Sequence, residues 1–420
     1  MVDALIPKDC RPQSGTLVLN PKARSRGVWS ERQNAVLNQE GFRQAEAVLH
    51  HWPGYRPTPL RDLSGLARTI GVGQLWYKDE AHRFALQSFK ALGGAYAVAE
   101  LILRKAGENT MALPVSSPLL FAGRYRNLAR DITVACATDG NHGRSVAWGA
   151  EMFGCRAVVY IHATVSENRK RAIEAFGAEV RRVDGTYDDS VRQAARDAAA
   201  EGWTIISDTS YVGYTEIPKD VMQGYGVMVA EAIAELPPDQ RPTHVFVQGG
   251  VGGLAAAVAA HLIWRWKTVY PRLVVVEPES AACLLASARK GEAATVTGDL
   301  ATVMAGLSCG EPSLLAWEIL EEAADAFMTI PDHAALTTMR LLAKGSGTDV
   351  PLVAGESAVA GLAGAIAAIS IDRDRNLLGL NDTSRILVFG TEGATDPELY
   401  REIVGRSAEQ VAAAAGEARS

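Results

Sequence analysis

A chain of 420 residues has room for two or three domains, or for one large α/β unit. Hydrophobic residues make up 48% and charged residues 21%, which excludes a disordered regulator, a collagen-like fibre and a disulfide-dense secreted scaffold. With 42 basic and 48 acidic side chains, a net charge of −6, the chain lacks the basic surplus of a nucleic-acid binder.

The first ten residues show no basic segment followed by an apolar core, so no signal peptide is expected. The uncharged, Ala- and Gly-rich stretch Ser357 to Ile371 is too short to span a bilayer. Five cysteines, none in a Cys-x-x-Cys pair, fit a reducing compartment and give no zinc signature. The reading is a soluble, cytoplasmic protein with no membrane partner and no metal. Residues 1 to about 70 carry scattered Pro and Arg with short periodic pieces that assign no element. From Leu75–Lys78 onward, short apolar runs alternate with helical patterns. Strands are expected at Leu75–Lys78, Ile132–Ala137, Ala157–Ile161, Glu179–Val183, Trp203–Ile206, His244–Val247, Leu273–Val276 and Ile386–Phe389. Ser166 reads as the N-cap of a helix that Gly177 stops, and Asp188-Asp189-Ser190 opens an Ala-rich helix ended by Gly202. Residues 105 to 127, broken by Pro114 and Pro118, read as an irregular insertion. Alternating strands and helices predict an α/β fold with open, mostly parallel twisted sheets flanked by helices.

Four turns follow strands, where open α/β sheets bind ligands. They are Ala137-Thr-Asp-Gly-Asn-His-Gly143, Ser207-Asp-Thr209, Gln248-Gly-Gly-Val-Gly-Gly253 and Gly390-Thr-Glu-Gly-Ala394. The third holds four glycines ahead of an Ala-rich helix, which suits an anion cradled by backbone N–H groups. It is not a Walker loop, because no Gly-Lys-Ser/Thr follows. Nor is it a dinucleotide fingerprint: the spacing is Gly-Gly-x-Gly-Gly, and the next acid, Glu277, lies beyond the roughly 20 residues expected. A turn chosen only for close packing is the competing reading. A phosphate without nucleotide signatures points to a phosphorylated cofactor. Pyridoxal phosphate also needs a lysine for its Schiff base, and Ser88-Phe-Lys90, opening a helix from Ala91 to Leu103, supplies a candidate. Burial and a helix N-terminus would both favour its neutral amine.

These residues resemble those of the fold type II pyridoxal-phosphate enzymes, the threonine dehydratase and tryptophan synthase β group. Within it the chain is most similar to the diaminopropionate ammonia-lyases. The supporting segments are Thr138–Trp148, Asp208–Pro218, Met222-Gln-Gly-Tyr225, Val276-Glu-Pro278, Met304–Pro312, Gly355-Glu-Ser357 and Thr391–Asp396. The resemblance runs in order from about Thr58 to Glu402. It implies two domains, a large cofactor-binding one from 1–95 and 205–420 and a small one from 96–204. It implies pyridoxal 5′-phosphate as cofactor, a small amino acid as substrate and a homodimer.

Residue by residue, the resemblance makes Lys90 the Schiff-base lysine and a base at Cα, with Phe89 beside it at the cofactor. Asn141 would bond the phenolic oxygen. Gly249, Gly250, Val251, Gly252 and Gly253 would hold the phosphate, and Thr391 would face the pyridine nitrogen. Asp139 separates subfamilies, because similar hydroxyamino-acid dehydratases carry a small neutral residue there. In the ammonia-lyases the matching Asp is the base for the D-enantiomer and the lysine serves the L-enantiomer. Asp208 would be a second acid facing the substrate's β-ammonium. The plainer readings are a helix N-terminal acid for Asp139 and a turn residue for Asp208. His142 is expected to make a structural hydrogen bond. Cys283 and Cys309 match positions where such lyases can pair cysteines, and free thiols or a labile bond are expected. The implied reaction converts 2,3-diaminopropionate to pyruvate and two ammonia, on one or both enantiomers. The alternatives are elimination from serine, threonine or a hydroxyaspartate on the same scaffold, or a non-catalytic phosphate-ligand sensor.

Overall fold

The computed structural model describes residues 16–23, 28–108 and 115–417. The N-terminal decapeptide read for targeting and part of the 105–127 segment lie outside them. Among the described residues eleven strands are seen: β1 (Leu17–Leu19), β2 (Leu60–Asp62), β3 (Gln74–Asp79), β4 (Thr133–Ala137), β5 (Arg156–His162), β6 (Glu179–Val183), β7 (Thr204–Ile205), β8 (His244–Gln248), β9 (Arg272–Pro278), β10 (Ala326–Ile330) and β11 (Arg385–Gly390). The eight expected strands are all present, Glu179–Val183 with the ends expected and the other seven with shifted ends. Added to them are β10 and the three-residue strands β1 and β2.

The chain divides into two compact units. One comprises Met1–Val36, Pro57–His82 and Met228–Ser420. Its seven-stranded sheet has the order β1-β10-β9-β8-β11-β3-β2. Only the outermost pairings, β1 with β10 and β2 with β3, are antiparallel. The central strands read as unbroken apolar runs, such as Leu-Val-Val-Val in β9, because both faces of a parallel sheet are covered. The uncharged stretch that is too short for a bilayer forms the helix Ala360–Ser370, buried over almost its whole length against this sheet. Among the described residues no helix is long and apolar enough to cross a membrane.

The other unit comprises Leu37–Arg56 and Arg83–Val227. Its four-stranded sheet, β6-β5-β4-β7, is parallel throughout. Helix Glu167–Glu174 starts at Ser166, whose hydroxyl accepts from the Arg169 N–H. The Ala-rich helix begins earlier than expected, with Thr186 and Asp189 forming a reciprocal capping box, and ends at the left-handed Gly202. The described part of the 105–127 segment is more regular than expected. The helix Gly94–Glu108 runs into it, and short helices span Ser117–Phe121 and Arg126–Arg130.

The boundaries differ from those expected at 95/96 and 204/205. Lys90 and Asp208 fall in the same unit as the 137–143 turn. Within that unit the Ser145 hydroxyl donates to the Lys90 carbonyl at 2.6 Å and accepts from the Ala95 N–H at 2.9 Å. The lysine segment is thereby tied to the helix Asn141–Phe153.

Candidate active site

The lysine is set by its own turn. The Ser88 side chain accepts from the Lys90 N–H and opens a short 3₁₀ turn, Phe89–Leu92, ahead of helix Gly94–Glu108. The Lys90 ammonium bonds to the Asp208 carboxylate, with side-chain exposures of 19% and 14%. Nζ also lies 5.4 Å from the Phe89 ring centre and 5.5 Å from that of Tyr225, rings that pack on each other at 4.6 Å. Burial pulls the Lys90 pKa down, but the Asp208 carboxylate outweighs it and holds the ammonium well above the ordinary lysine value. The neutral amine expected from the sequence is therefore corrected: without cofactor, Lys90 is a cation. Asp208 follows β7, and burial alone would raise its pKa. Lys90 and then His142 hold it below the usual carboxylate range instead.

The 137–143 turn follows β4. The Thr138 hydroxyl accepts from the N–H groups of Gly140 (2.9 Å) and Gly143 (3.0 Å), folding the loop onto the first turn of helix Asn141–Phe153. Asn141 is the first residue of that helix. Asp139 Oδ1 lies 2.7 Å from His162 Nε2, at the end of the neighbouring strand β5. His142 Nε2 donates to the Ile206 carbonyl at 2.9 Å, which leaves buried Nδ1 without a partner. Burial lowers its pKa and keeps it neutral.

In the other unit, the glycine turn joins β8 to helix Gly253–Trp266. The Gly249 N–H donates to the Val276 carbonyl (2.8 Å) and that of Gly252 to the Gly249 carbonyl (3.1 Å), so two of the five expected phosphate residues use their N–H to build the turn. The turn itself does not use the N–H groups of Gly250, Val251 and Gly253, which head a helix whose dipole favours an anion. Gly250 and Gly252 have φ of 58° and 97°, a left-handed backbone that favours glycine. A Cβ on Gly249 would lie 2.6 Å from Glu277 Cγ. Glu277 is fully buried and accepts from the N–H groups of Leu284 and Leu285, both at 2.8 Å. The turn thus has the donors and the bare backbone that a phosphate needs. Thr391 follows β11 and is buried, and its hydroxyl accepts from Gln248 Nε2 at 3.1 Å. The same Nε2 donates to the carbonyls of Phe389 (2.7 Å) and Ala358 (3.0 Å).

Residues 51–387 match the family model of pyridoxal-phosphate dependent enzymes. The chain is 41% identical over 382 residues to the diaminopropionate ammonia-lyase of Escherichia coli K12, covering 90% of this chain and 94% of that one. The chain belongs to the diaminopropionate ammonia-lyase family. The Salmonella typhimurium LT2 enzyme of that name is 39% identical over 385 residues, covering 89% and 95% of the two chains. Among solved structures, the E. coli lyase in complex with an aminoacrylate–PLP azomethine reaction intermediate superposes with a TM-score of 0.83 at 36% identity, covering 93% of this chain and 97% of that one. The same lyase in complex with D-serine gives 0.82 at 36% identity, with the same coverage.

This lyase family member is accordingly a fold type II enzyme with pyridoxal 5′-phosphate as cofactor, as the sequence resemblance implied. The residues present fit that group: an amine held by its own unit, and a glycine turn with unused N–H donors. Cys283 is a buried thiol whose Sγ lies 3.6 Å from the Gly250 carbonyl, and burial pushes its pKa up, which makes it unreactive. Cys309 is also present as a thiol. His162, Tyr225, Gln248 and Glu277 had no assigned roles in the sequence reading. Tyr225 and Glu277 lay within segments that carried the resemblance. His162 stood one residue past an expected strand, and only strand register could have matched it to Asp139.

Proposed function

We propose that this lyase eliminates ammonia from 2,3-diaminopropionate and accepts both enantiomers, consuming one water and releasing pyruvate and two ammonia. The observation that carries this is the largely buried pair of Lys90 and Asp208. A carboxylate in such a place needs a cation beside it. Once the Lys90 nitrogen is engaged by the cofactor, the substrate's β-ammonium supplies that cation, whereas serine or threonine brings only a hydroxyl.

Pyridoxal phosphate, when bound, supplies the electron sink that makes the Cα–H bond acidic. Lys90 would hold it at the aldehyde carbon, with Phe89 alongside. Gly250, Val251 and Gly253 would hold the phosphate within the frame that Gly249 and Gly252 build. Asn141 would bond the phenolic oxygen, and the Thr391 hydroxyl would meet the pyridine nitrogen. Lys90 removes the Cα proton of the L-enantiomer and Asp139 that of the D-enantiomer, because opposite Cα–H bonds need bases on opposite faces. The β-ammonium leaves as neutral ammonia, its nitrogen taking the C–N electron pair. Asp208 stabilises that ammonium until the bond breaks.

The test is a paired pyruvate assay of the holoenzyme on D- and L-2,3-diaminopropionate, with serine and threonine as controls. Pyruvate is expected from both enantiomers and little product from the hydroxy acids. No pyruvate from either enantiomer sinks the proposal, and faster serine or threonine turnover replaces it with a dehydratase. Lys90→Ala is expected to abolish both the reaction and the visible absorbance of bound cofactor. A cytoplasmic homodimer is the expected form, and light scattering should report about twice the 44.8 kDa chain mass.

A further inference from the structure

Strands β4 and β5 pair in parallel with Ala137 opposite Tyr160, and the same offset two residues on brings Asp139 beside His162. Their side chains, 20% and 18% exposed, meet at 2.7 Å between Oδ1 and Nε2. A carboxylate oxygen only accepts, so Nε2 carries the proton. Nδ1 of the neutral ring is then the acceptor for the Thr164 hydroxyl, 3.0 Å away. A protonated ring fits the same place, with Thr164 accepting. The histidine itself is braced: Arg182 Nη1, from β6, donates to the carbonyls of His162 (3.2 Å), Ala163 (3.0 Å) and Val165 (2.7 Å), while its Nη2 pairs with Glu167 at 2.6 Å. Arg169 Nη1 donates to the Asp139 carbonyl at 3.3 Å. Among the described residues Asp139 Oδ2 has no hydrogen-bond partner.

We infer that His162 is a positioning residue for Asp139, fixing Oδ1 so that Oδ2 alone is presented to the D-substrate. It thereby sets the ratio of D to L turnover. The inference rests on the two-base reading above, in which Asp139 serves only the D-enantiomer. An untethered carboxylate turns about two side-chain torsions, and a misplacement of about 1 Å can cost on the order of 100-fold in rate. The lysine route does not pass through this pair.

The experiment measures kcat and KM of the holoenzyme on both enantiomers for wild type, H162A, H162Q and D139N. H162A is expected to lower kcat for the D-substrate by roughly 10- to 100-fold, while L turnover stays within about twofold. H162Q, whose amide Nε2 can donate where the imidazole does, is expected to restore most of the loss. A second readout needs neither cofactor nor turnover: imidazole ¹⁵N spectra of the apoprotein at alkaline pH. His162, assigned among eight histidines by difference with H162Q, should show the Nε2–H tautomer in wild type and lose that preference in D139N. Equal losses for both enantiomers in H162A, or an Nδ1–H tautomer, overturn the inference. Unchanged D turnover in H162A together with its loss in D139N overturns this inference alone. D turnover that survives D139N overturns the two-base reading and this inference with it.

Discussion

The Lys90 ammonium is bonded to the Asp208 carboxylate, 118 residues further along the chain, within one compact unit. Neither charge is stable in that place alone. Burial disfavours both ions, yet each holds the other charged. Asp208 therefore needs a cation both before and after Lys90 engages the cofactor, and this requirement links the resting protein to its substrate.

Asp208→Asn removes the anion and leaves a largely buried ammonium. In the cofactor-free protein the cost should be about 3 kcal/mol, read from denaturant unfolding. In the holoenzyme, kcat/KM for diaminopropionate should fall much further than the residual rate with serine, since only the first substrate carries the β-ammonium. Equal losses on both would leave Asp208 a structural acid only.

Gly249→Ala should damage the phosphate turn by steric crowding. The new Cβ would meet Glu277 Cγ at 2.6 Å, and Glu277 cannot give way while both its oxygens are tied to Leu284 and Leu285. A stability loss of about 1–3 kcal/mol is expected. Cofactor affinity should fall by at least about tenfold, equivalent to about 1.4 kcal/mol. Gly177→Ala is the control: φ is 72° and no atom lies within 4 Å of the added carbon. It should cost about 1 kcal/mol in backbone strain and leave affinity unchanged in an absorbance titration.

Gln248→Leu tests the support of Thr391. One amide nitrogen serves two buried carbonyls and the Thr391 hydroxyl, so the substitution should cost about 2–3 kcal/mol through unsatisfied groups. It should also move the absorbance of bound cofactor in the direction that Thr391→Ala does. A cofactor spectrum identical to wild type would separate Gln248 from the site.

The central strands were legible because strands covered on both faces read as unbroken apolar runs, as in β8 and β9. The edge strands β1 and β2 are three residues each, too short for any alternation to register. Strand β10 was hidden differently. Only Ala324 and Asp325 separate it from the helix Leu314–Ala323, with no Gly or Pro between them to mark a turn. At the site, Lys90 and the glycine turn were visible in local pattern, because a turn is a local object. The charge state of Lys90 was not, since its partner lies in another segment and the local effects point the other way. The Asp139–His162 contact depends on the register of β4 against β5, which no local spacing encodes.

His261 gives a pH prediction with a definite sign. It sits in helix Gly253–Trp266 with its ring 5.0 Å from that of Trp264, and burial lowers its pKa from the ordinary 6.5 to about 3. In the unfolded chain the imidazole takes up its proton near 6.5, so between that value and about 3 the unfolded state binds the extra proton. Acid therefore favours unfolding: the stabilising contribution is complete above about pH 6.5 and drains away as the pH falls toward 3. From pH 7 to pH 5 the loss from this residue is about 2 kcal/mol, and buried His142 adds a loss of the same sign. His261→Phe keeps an aromatic ring beside Trp264 and cannot titrate. Urea unfolding of the apoprotein at pH 7 and pH 5 should show the variant losing about 2 kcal/mol less than wild type across that interval. If the two proteins lose the same amount, the buried imidazole is not what makes this fold acid-sensitive.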